Sequence, residues 1–241
     1  MTSLFHSFSI SFYIKVFVLC LIILLASLYS YFQYDRQERK EKEGMTQNSS
    51  KPLILLLGDS ILNNEAYVKN GKSIVNLLKD KEQEVDSYAV NNASIIDIYQ
   101  QLNNVPLDMN NQDTSLFLSV GGNDILTAFV DQIQNEDNDM KNTLKPIFNA
   151  YKKLVASIQT KMNKVGKITL VNLYYPTNMK YQQYKPILEE WNRVLDQYAR
   201  EKNLNVLRLN YLLTQSTDFS LSIEPSESGG MKIADNIILN A

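Results

Sequence analysis

Short apolar runs alternate with amphipathic segments along the chain beyond Lys51. The run Leu53–Leu57 is apolar without alternation, as expected of a strand that is covered on both faces. Such runs predict strands at Leu53–Leu57, Val85–Val90, Ser115–Val120, Ile168–Tyr174 and Val206–Leu209. Amphipathic spacing predicts helices at Ser73–Lys81, Ser94–Leu102, Thr143–Met162, Pro186–Lys202 and Gly230–Leu239. This alternation predicts an α/β domain with a parallel sheet and helices on both of its faces.

Two segments of the predicted domain could have either a structural or a functional role. Trp191 recurs at helical spacing with apolar residues of its helix, so we expect it in the core rather than on a binding surface. The segment Asp131–Asn142 is rich in acidic and amide residues, which can bind Ca²⁺. It lacks the glycine and the ligand spacing of an EF-hand loop, so we expect a solvated surface loop there.

An apolar stretch from Val16 to Phe32 precedes the predicted domain. Extended back to Ser9 past a snorkelling Lys15, it reaches the roughly 20 residues needed to cross a bilayer. We therefore expect residues 1–34 to form a single-pass N-terminal transmembrane anchor. Residues 35–50 are then a charged linker, and residues 51–241 are the α/β domain.

Two other interpretations of the apolar stretch stay open. Small residues between Ala26 and Ser30 could mark the cleavage site of a signal peptide, although the apolar run continues past them. A buried core helix is the third interpretation, and the charged segment that follows argues against it. Lysine and arginine residues after the stretch favour a cytoplasmic domain, but the side of the membrane remains undecided.

Composition excludes several classes of protein. The net charge of −2 argues against binding to nucleic acid. The 44% of hydrophobic residues and the few glycines and prolines indicate a globular chain. Cys20, the single cysteine, lies in the apolar stretch, so neither an internal disulfide nor a thiolate metal site is expected. We expect no metal ion and no cofactor.

Polar side chains follow two of the predicted strands. Ser60 comes just after Leu53–Leu57, and Asn123 follows the strand that ends at Val120. Since ligands bind outside the carboxyl ends of parallel strands, we expect these two side chains to converge. A serine hydroxyl can attack an acyl carbon, and an asparagine amide can stabilise the oxyanion that forms.

The simpler interpretation is a turn at Gly58, Asp59 and Ser60 in which the serine caps a helix. A second polar turn, Gly121 to Asp124, follows its own strand, and this pairing favours a functional site. The imidazole that normally activates a serine is missing, because the single histidine, His6, precedes the apolar stretch.

The sequence from Gly58 to Leu62 and the sequence from Gly121 to Asp124 resemble two conserved blocks of the SGNH (GDSL) hydrolase superfamily. The segment Ala89–Asp97 is similar to a third block, with Ile96 where the family has glycine. The resemblance implies a three-layer α/β/α fold with a five-stranded parallel sheet and an ester-hydrolase activity. It also implies that the backbone N–H groups of Ser60 and Ile96 act with Asn123 as the oxyanion hole.

The last block departs from the family pattern of aspartate, two residues and histidine. Glu224 stands in the histidine position and Leu221 in the aspartate position, while Pro225 and the predicted helix follow as in the family. Asp218 is six residues away from Glu224 and could reach the site only along a different loop path. A buried glutamate can act as a general base near neutral pH, because burial raises its pKa.

Two hypotheses follow. The first is a membrane-anchored ester hydrolase with Ser60, Asn123, Glu224 and Ile96 in its site, which cleaves acyl or acetyl esters of small molecules, carbohydrates or lipids. The second is an inactive SGNH-like domain that binds an acylated or carbohydrate ligand in the same cleft. A membrane-tethered scaffold for a protein partner is a third class, with no sequence feature in its favour.

Overall fold

The computed structural model describes residues 52–134 and 140–241. The predicted membrane anchor at residues 1–34 and the linker at residues 35–50 lie outside the described residues. In the two described ranges, no helix combines the length and the apolar character needed to cross a bilayer.

A five-stranded parallel sheet forms the centre of the domain, in the order β2-β1-β3-β4-β5. Its strands are β1 (Leu53–Gly58), β2 (Val85–Ser87), β3 (Thr114–Ser119), β4 (Lys167–Val171) and β5 (Asn205–Leu207). The two central strands run side by side over their whole length, from Leu53 opposite Thr114 to Gly58 opposite Ser119. The carboxyl ends of β1 and β3 therefore lie at the same edge of the sheet.

Seven α-helices connect or follow the strands in the described ranges. They are α1 (Ile74–Asp80), α2 (Asp97–Asn104), α3 (Gly122–Gln134), α4 (Met140–Lys161), α5 (Lys185–Lys202), α6 (Leu209–Leu212) and α7 (Glu227–Asn240). The strand order reverses direction between β2 and β3, and right-handed crossovers then place α1 on the opposite face from α2, α4 and α5. Helix α7 contacts α1 and completes its layer. The predicted three-layer α/β/α fold is confirmed.

The core forms where both faces of the sheet are covered. Ile54, Leu55, Leu56 and Leu57 have no solvent exposure, which explains their unbroken apolar run. Trp191 is also fully buried, as predicted, and its ring makes edge contacts with the rings of Phe148 and Tyr151.

The polar segment Asp131–Asn142 was predicted as a loop, and this is wrong for its two ends. Helix α3 continues through Gln134, and α4 begins at Met140. Ile125 and Phe129 lie four residues apart on α3, and both pack against the core. These contacts stabilise the first turns of the helix, and the polar residues that follow extend it. Gly121 and Gly122, at the start of α3, concealed this helix in the sequence.

Strand ends and the C-terminal region also differ from prediction. Strand β2 ends at Ser87 and β4 at Val171, each three residues earlier than expected. An unpredicted antiparallel hairpin joins β6 (Phe219–Ser220) to β7 (Glu224–Pro225). Helix α7 begins three residues before the predicted position, because the Ser226 hydroxyl accepts a hydrogen bond from the Gly229 N–H and caps it.

Candidate active site

The turn after β1 holds Ser60 at the carboxyl edge of the sheet. The N–H of Asp59 donates to the Ser119 carbonyl at the end of β3, which fixes the two central strands to each other at this edge. Gly58 passes so close to that carbonyl that an added Cβ would lie 2.5 Å from its oxygen. The serine side of the turn is almost closed to solvent, with Ser60 6% exposed.

Asp59 supports this turn from within. It is 2% exposed, and its Oδ1 accepts hydrogen bonds from the Ile61 N–H at 3.1 Å and the Ser119 hydroxyl at 3.0 Å. Burial, with a smaller contribution from the charge of Glu224, raises the pKa of Asp59 to about 7, although its hydrogen bonds oppose the shift. These bonds agree with a supporting role for Asp59 rather than with a base in contact with the Ser60 hydroxyl.

The turn after β3 places Asn123 in the first turn of α3. Gly121 has a φ of +115°, and an added Cβ would lie 2.5 Å from a ring carbon of Trp191. Asn123 donates from Nδ2 to the Ala93 carbonyl at 2.9 Å. This bond uses one of its two amide hydrogens, so the other can donate to an oxyanion.

Glu224 stands at the start of β7. Hydrogen bonding with the Ser60 hydroxyl lowers the pKa of the Glu224 carboxyl, but burial is the larger effect and leaves the pKa above its ordinary value. One of its carboxyl oxygens, Oε2, is buried and has no hydrogen-bond partner in the described part of the chain. The carboxyl therefore lies beside the serine hydroxyl with acceptor capacity to spare.

Ser60, Asn123 and Glu224 line one cleft. Asp59, Ile61, Gly122, Leu126, Leu173, Tyr174, Pro176, Tyr181, Tyr184, Leu188 and Ile223 complete its lining. The walls are thus mainly aliphatic and aromatic, whereas the carboxyl, hydroxyl and amide groups come from Asp59, Ser60, Asn123 and Glu224. An arrangement of this kind can hold an apolar group beside a small polar reaction centre.

Ile96 is the predicted site residue that is not found in the cleft lining. It lies directly before α2, and its side chain is 71% exposed. The neighbouring Ile95 N–H donates to both carboxyl oxygens of Asp124, at 3.1 and 3.2 Å. The proposed contribution of the Ile96 N–H to an oxyanion hole therefore stays a prediction.

Asp218 is held away from the cleft by other partners. It is fully buried, accepts hydrogen bonds from the N–H groups of Thr214 and Gln215, and forms an ion pair with Lys232 at 2.8 Å. Burial alone would raise the pKa of Asp218, but Lys232 and the backbone bonds lower it overall. Leu221, in the aspartate position of the block, is 73% exposed at the hairpin tip.

Sequence reasoning missed Gln101 and Asn64 as supports of the site, and it missed the hydrogen bond that Tyr174 makes. Gln101 bonds to the backbone of Gly58, Asn64 donates to the Pro225 carbonyl, and Tyr174 donates to the Ile223 carbonyl. Each is a buried polar residue in or next to an apolar segment, but nothing in the sequence names its partner. In residues 52–134 and 140–241, no group of His, Cys, Asp and Glu side chains is placed to bind a metal ion.

Comparisons with known proteins agree with this geometry. The sequence model of the GDSL-like lipase/acylhydrolase family matches residues 54–237, which include both turns and Glu224. The sequence matches none of the curated proteins with which it was compared.

Solved structures share the fold at low sequence identity. A member of the lipolytic G-D-S-L family from Veillonella parvula has a TM-score of 0.57 at 20% identity, over 78% of this chain and 96% of that one. A lipase from a goat rumen metagenome has a TM-score of 0.63 at 17% identity, over 78% and 96%. A mutant acetyl-xylooligosaccharide esterase from a Geobacillus species has a TM-score of 0.56 at 16% identity, over 79% and 95%.

The family match covers well over half of the chain, and the turns after β1 and β3 lie inside it. The protein therefore belongs to the GDSL-like lipase/acylhydrolase family, within the SGNH hydrolase superfamily.

Proposed function

We propose that this protein is a serine ester hydrolase in which Glu224 replaces histidine as the general base. The observation that carries the proposal is that Ser60, Asn123 and Glu224 line one cleft, where hydrogen bonding to the Ser60 hydroxyl contributes to the pKa of the partly buried Glu224 carboxyl. A carboxylate needs no further side chain to select a tautomer, so an aspartate at position 221 is not required.

In the proposed reaction, the Ser60 oxygen attacks the acyl carbon while its proton passes to Glu224. The carbonyl oxygen becomes an oxyanion, and the free N–H of the Asn123 amide donates to it. The tetrahedral intermediate collapses, its bond to the alcohol oxygen breaks, and the alcohol leaves with the proton from Glu224. Water then attacks the acyl-serine with Glu224 again as base, which releases the acid and restores the Ser60 hydroxyl.

The pKa of the base decides whether such a reaction can proceed near neutral pH. An exposed glutamate is a weak base towards a hydroxyl, since its ordinary pKa lies near 4.5. Burial raises the pKa of Glu224 and so strengthens it as a base.

The cleft favours an ester with an apolar group. Tyr181, Tyr184 and Leu188 contribute to its wall, and the ring of Tyr184 is supported by an edge contact with Phe129. We propose acyl or acetyl esters of small molecules as substrates, with acylated carbohydrates and lipids among them. The similar structures include an acetyl-xylooligosaccharide esterase, which is compatible with this range but does not narrow it.

Turnover of short-chain p-nitrophenyl esters tests the proposal. We expect Ser60→Ala and Glu224→Gln to lower kcat by about 10³-fold or more, because each removes one partner of the proton transfer. Ser157→Ala and Glu227→Gln are matched controls, since both side chains form only exposed hydrogen bonds outside the cleft. Equal turnover by wild type and Ser60→Ala, or failure of a fluorophosphonate probe to label Ser60, would contradict the proposal.

The second candidate is a domain that binds an acylated or carbohydrate ligand without cleaving it. The position of Leu221 favours it, because this residue is exposed at a hairpin tip where the family has a catalytic aspartate. A variant with both Glu224→His and Leu221→Asp separates the two candidates. Gain of activity from an inactive wild type would support a binding domain, whereas loss of activity would support Glu224 as the base.

We propose further that residues 1–34 anchor the protein in a membrane, on the basis of the apolar stretch from Val16 to Phe32. The full chain should then stay in the membrane fraction after carbonate extraction, and a chain that begins at Lys51 should not. Release of the full chain by carbonate would exclude a transmembrane anchor.

A further inference from the structure

The residues before and after Glu224 each have their backbone carbonyl bound by a buried side chain from a different part of the fold. The Tyr174 hydroxyl donates to the Ile223 carbonyl at 2.6 Å, and Asn64 Nδ2 donates to the Pro225 carbonyl at 3.4 Å. The backbone on either side of Glu224 is thus fixed, from the end of β4 and from the turn after β1.

The hairpin that carries Glu224 is poorly suited to hold its own shape. Strands β6 and β7 have two residues each, too few for a hairpin that is stable in isolation. Leu221 and Ser222 at its tip have φ angles of +48° and +72°, a left-handed conformation that residues with a Cβ avoid. External contacts must therefore maintain this conformation.

Tyr174 contacts the hairpin at two places, in β6 and just before β7. Its ring lies 5.2 Å from the ring of Phe219 in β6, while its hydroxyl binds the carbonyl that precedes Glu224 in β7. The side chain is 7% exposed and belongs to the third residue after the end of β4. Asn192 in α5 holds the preceding residue, Leu173, through hydrogen bonds to its N–H at 2.9 Å and its carbonyl at 2.6 Å.

Asn64 connects the other side of Glu224 to the loop that contains Ser60. It is fully buried, and its Oδ1 accepts a hydrogen bond from the Ile74 N–H at the first residue of α1. Since Asn64 lies four residues after Ser60, its bond to the Pro225 carbonyl couples the serine turn to the segment of the base.

We propose that Tyr174 and Asn64 are positioning residues, which hold the Glu224 carboxyl at the Ser60 hydroxyl by fixing the carbonyls before and after it. This inference rests on the proposed function of Ser60 and Glu224. A displacement of about 1 Å between reacting groups can lower a rate by up to ~100-fold, so supports of this kind act on kcat rather than on substrate binding.

Tyr174→Phe in the full-length protein tests the inference, because it removes the hydroxyl and keeps the ring against Phe219. We expect kcat to fall by about tenfold with KM changed less than about twofold. Tyr151→Phe is the matched control, since this buried hydroxyl lies outside the cleft and has no hydrogen-bond partner in the described residues. Equal kcat values for Tyr174→Phe and wild type would overturn the role of Tyr174.

A rescue experiment distinguishes positioning from direct contact with substrate. Asparagine followed by glycine favours two successive positive φ angles, so Leu221→Asn with Ser222→Gly should stabilise the hairpin without Tyr174. We expect this pair of substitutions to restore most of the kcat lost in Tyr174→Phe. No restoration would mean that the hydroxyl acts on the substrate and would overturn the positioning role.

Titration of the Glu224 carboxyl by ¹³C NMR, assigned with Glu224→Gln, is independent of activity. In Tyr174→Phe and in Asn64→Leu we expect the pKa of Glu224 to move towards its ordinary value, because a released hairpin exposes the carboxyl to water. An unchanged pKa in both variants would overturn the inference. If Ser60→Ala keeps full turnover, the proposed function fails instead, and the titration still decides whether the two residues hold Glu224.

Discussion

The side chain of Gln101 pairs with the backbone of Gly58 as a neighbouring strand would. Its Oε1 accepts from the Gly58 N–H at 2.8 Å, and its Nε2 donates to the Gly58 carbonyl at 2.8 Å. Strand β2 ends before this level, where the following loop provides only the Val90 N–H to the Gly58 carbonyl, and a glutamine from α2 provides the partner of the Gly58 N–H. The turn that presents Ser60 begins at a backbone fixed on both sides.

Replacement of Gln101 by leucine should therefore destabilise the domain. The Gly58 N–H would lose its partner inside the protein, which costs about 1–3 kcal/mol, whereas its carbonyl keeps the bond from the Val90 N–H. Gln100→Leu, at the exposed neighbouring position, should change the free energy of unfolding by less than about 0.5 kcal/mol. Urea denaturation of both variants provides the measurement, and equal midpoints would contradict the role of Gln101.

Alanine at Gly121 should be more harmful than alanine at Gly71. Both glycines have positive φ angles, +115° and +77°, but only Gly121 faces the ring of Trp191, since nothing lies within 4 Å of an added Cβ at Gly71. We expect Gly71→Ala to cost about 1–2 kcal/mol from backbone conformation alone, and Gly121→Ala to cost roughly 1–3 kcal/mol more from steric overlap. Thermal unfolding of the two variants compares them, and similar losses would exclude the steric contribution.

Removal of the charge at Lys232 should destabilise the C-terminal part of the domain. Its partner Asp218 has no solvent exposure, so Lys232→Met leaves a buried carboxylate without its counter-ion and should cost about 2–3 kcal/mol. Asp235, which lies on α7 like Lys232, forms an ion pair with Lys81, and both of these side chains are nearly half exposed. Lys81→Met breaks that pair and should cost less than about 1 kcal/mol. Chemical denaturation at neutral pH measures both values. A Lys232 variant no less stable than the Lys81 variant would show that the buried pair contributes nothing.

Asp59 should make stability depend on pH in the direction opposite to most carboxylates. Its pKa is raised from 3.8 to about 7, so the folded state binds a proton that the unfolded state releases between these values. The stabilising contribution of this group is complete below pH 4 and is lost as the pH rises through 7. Asp59→Asn, which has no such ionisation, should gain in stability relative to wild type over this range. A difference independent of pH between the two proteins would contradict the raised pKa.

Ester hydrolysis should increase with pH through the ionisation of Glu224. The base must be deprotonated to accept the serine proton, and burial raises its pKa above the ordinary value of 4.5. The acidic limb of kcat/KM against pH should therefore have its midpoint above 4.5. Glu224→Asp, which shortens the side chain, should lower kcat and retain an acidic limb, whereas Glu224→Gln should lose the limb. An acidic limb that persists in Glu224→Gln would assign the ionisation to another group.

Hydrophobic pattern was enough to predict the five strands of the sheet and most of the long helices. Leu53–Leu57 is apolar at every position, and Trp191 recurs with apolar residues at helical spacing. The burial of these residues can therefore be predicted from the sequence pattern. Helix α3 was missed because its first residues, Gly122 and Asn123, have low helix propensity and its end is polar. Contacts of Ile125 and Phe129 with the core override that propensity.

Motif spacing likewise determined which residues to consider for the site. Ser60 and Asn123 each follow a parallel strand of the same sheet, and such strands end at one edge, so their convergence could be foreseen. Glu224 could be proposed only from its place in a family-like block, because no periodicity connects it with Ser60. The sequence does not predict whether the Glu224 carboxyl is buried or which group lies beside it.

The tertiary structure alone decided how the site is supported. Gln101, Asn64 and Tyr174 act through hydrogen bonds to backbone groups that are distant in sequence. A backbone carbonyl is the same acceptor in every residue, so nothing in the sequence of Gly58, Ile223 or Pro225 names its donor. Apolar burial depends on residue type and can be predicted from the chain, whereas these long-range bonds depend on positions that exist only after the sheet and its helices have assembled.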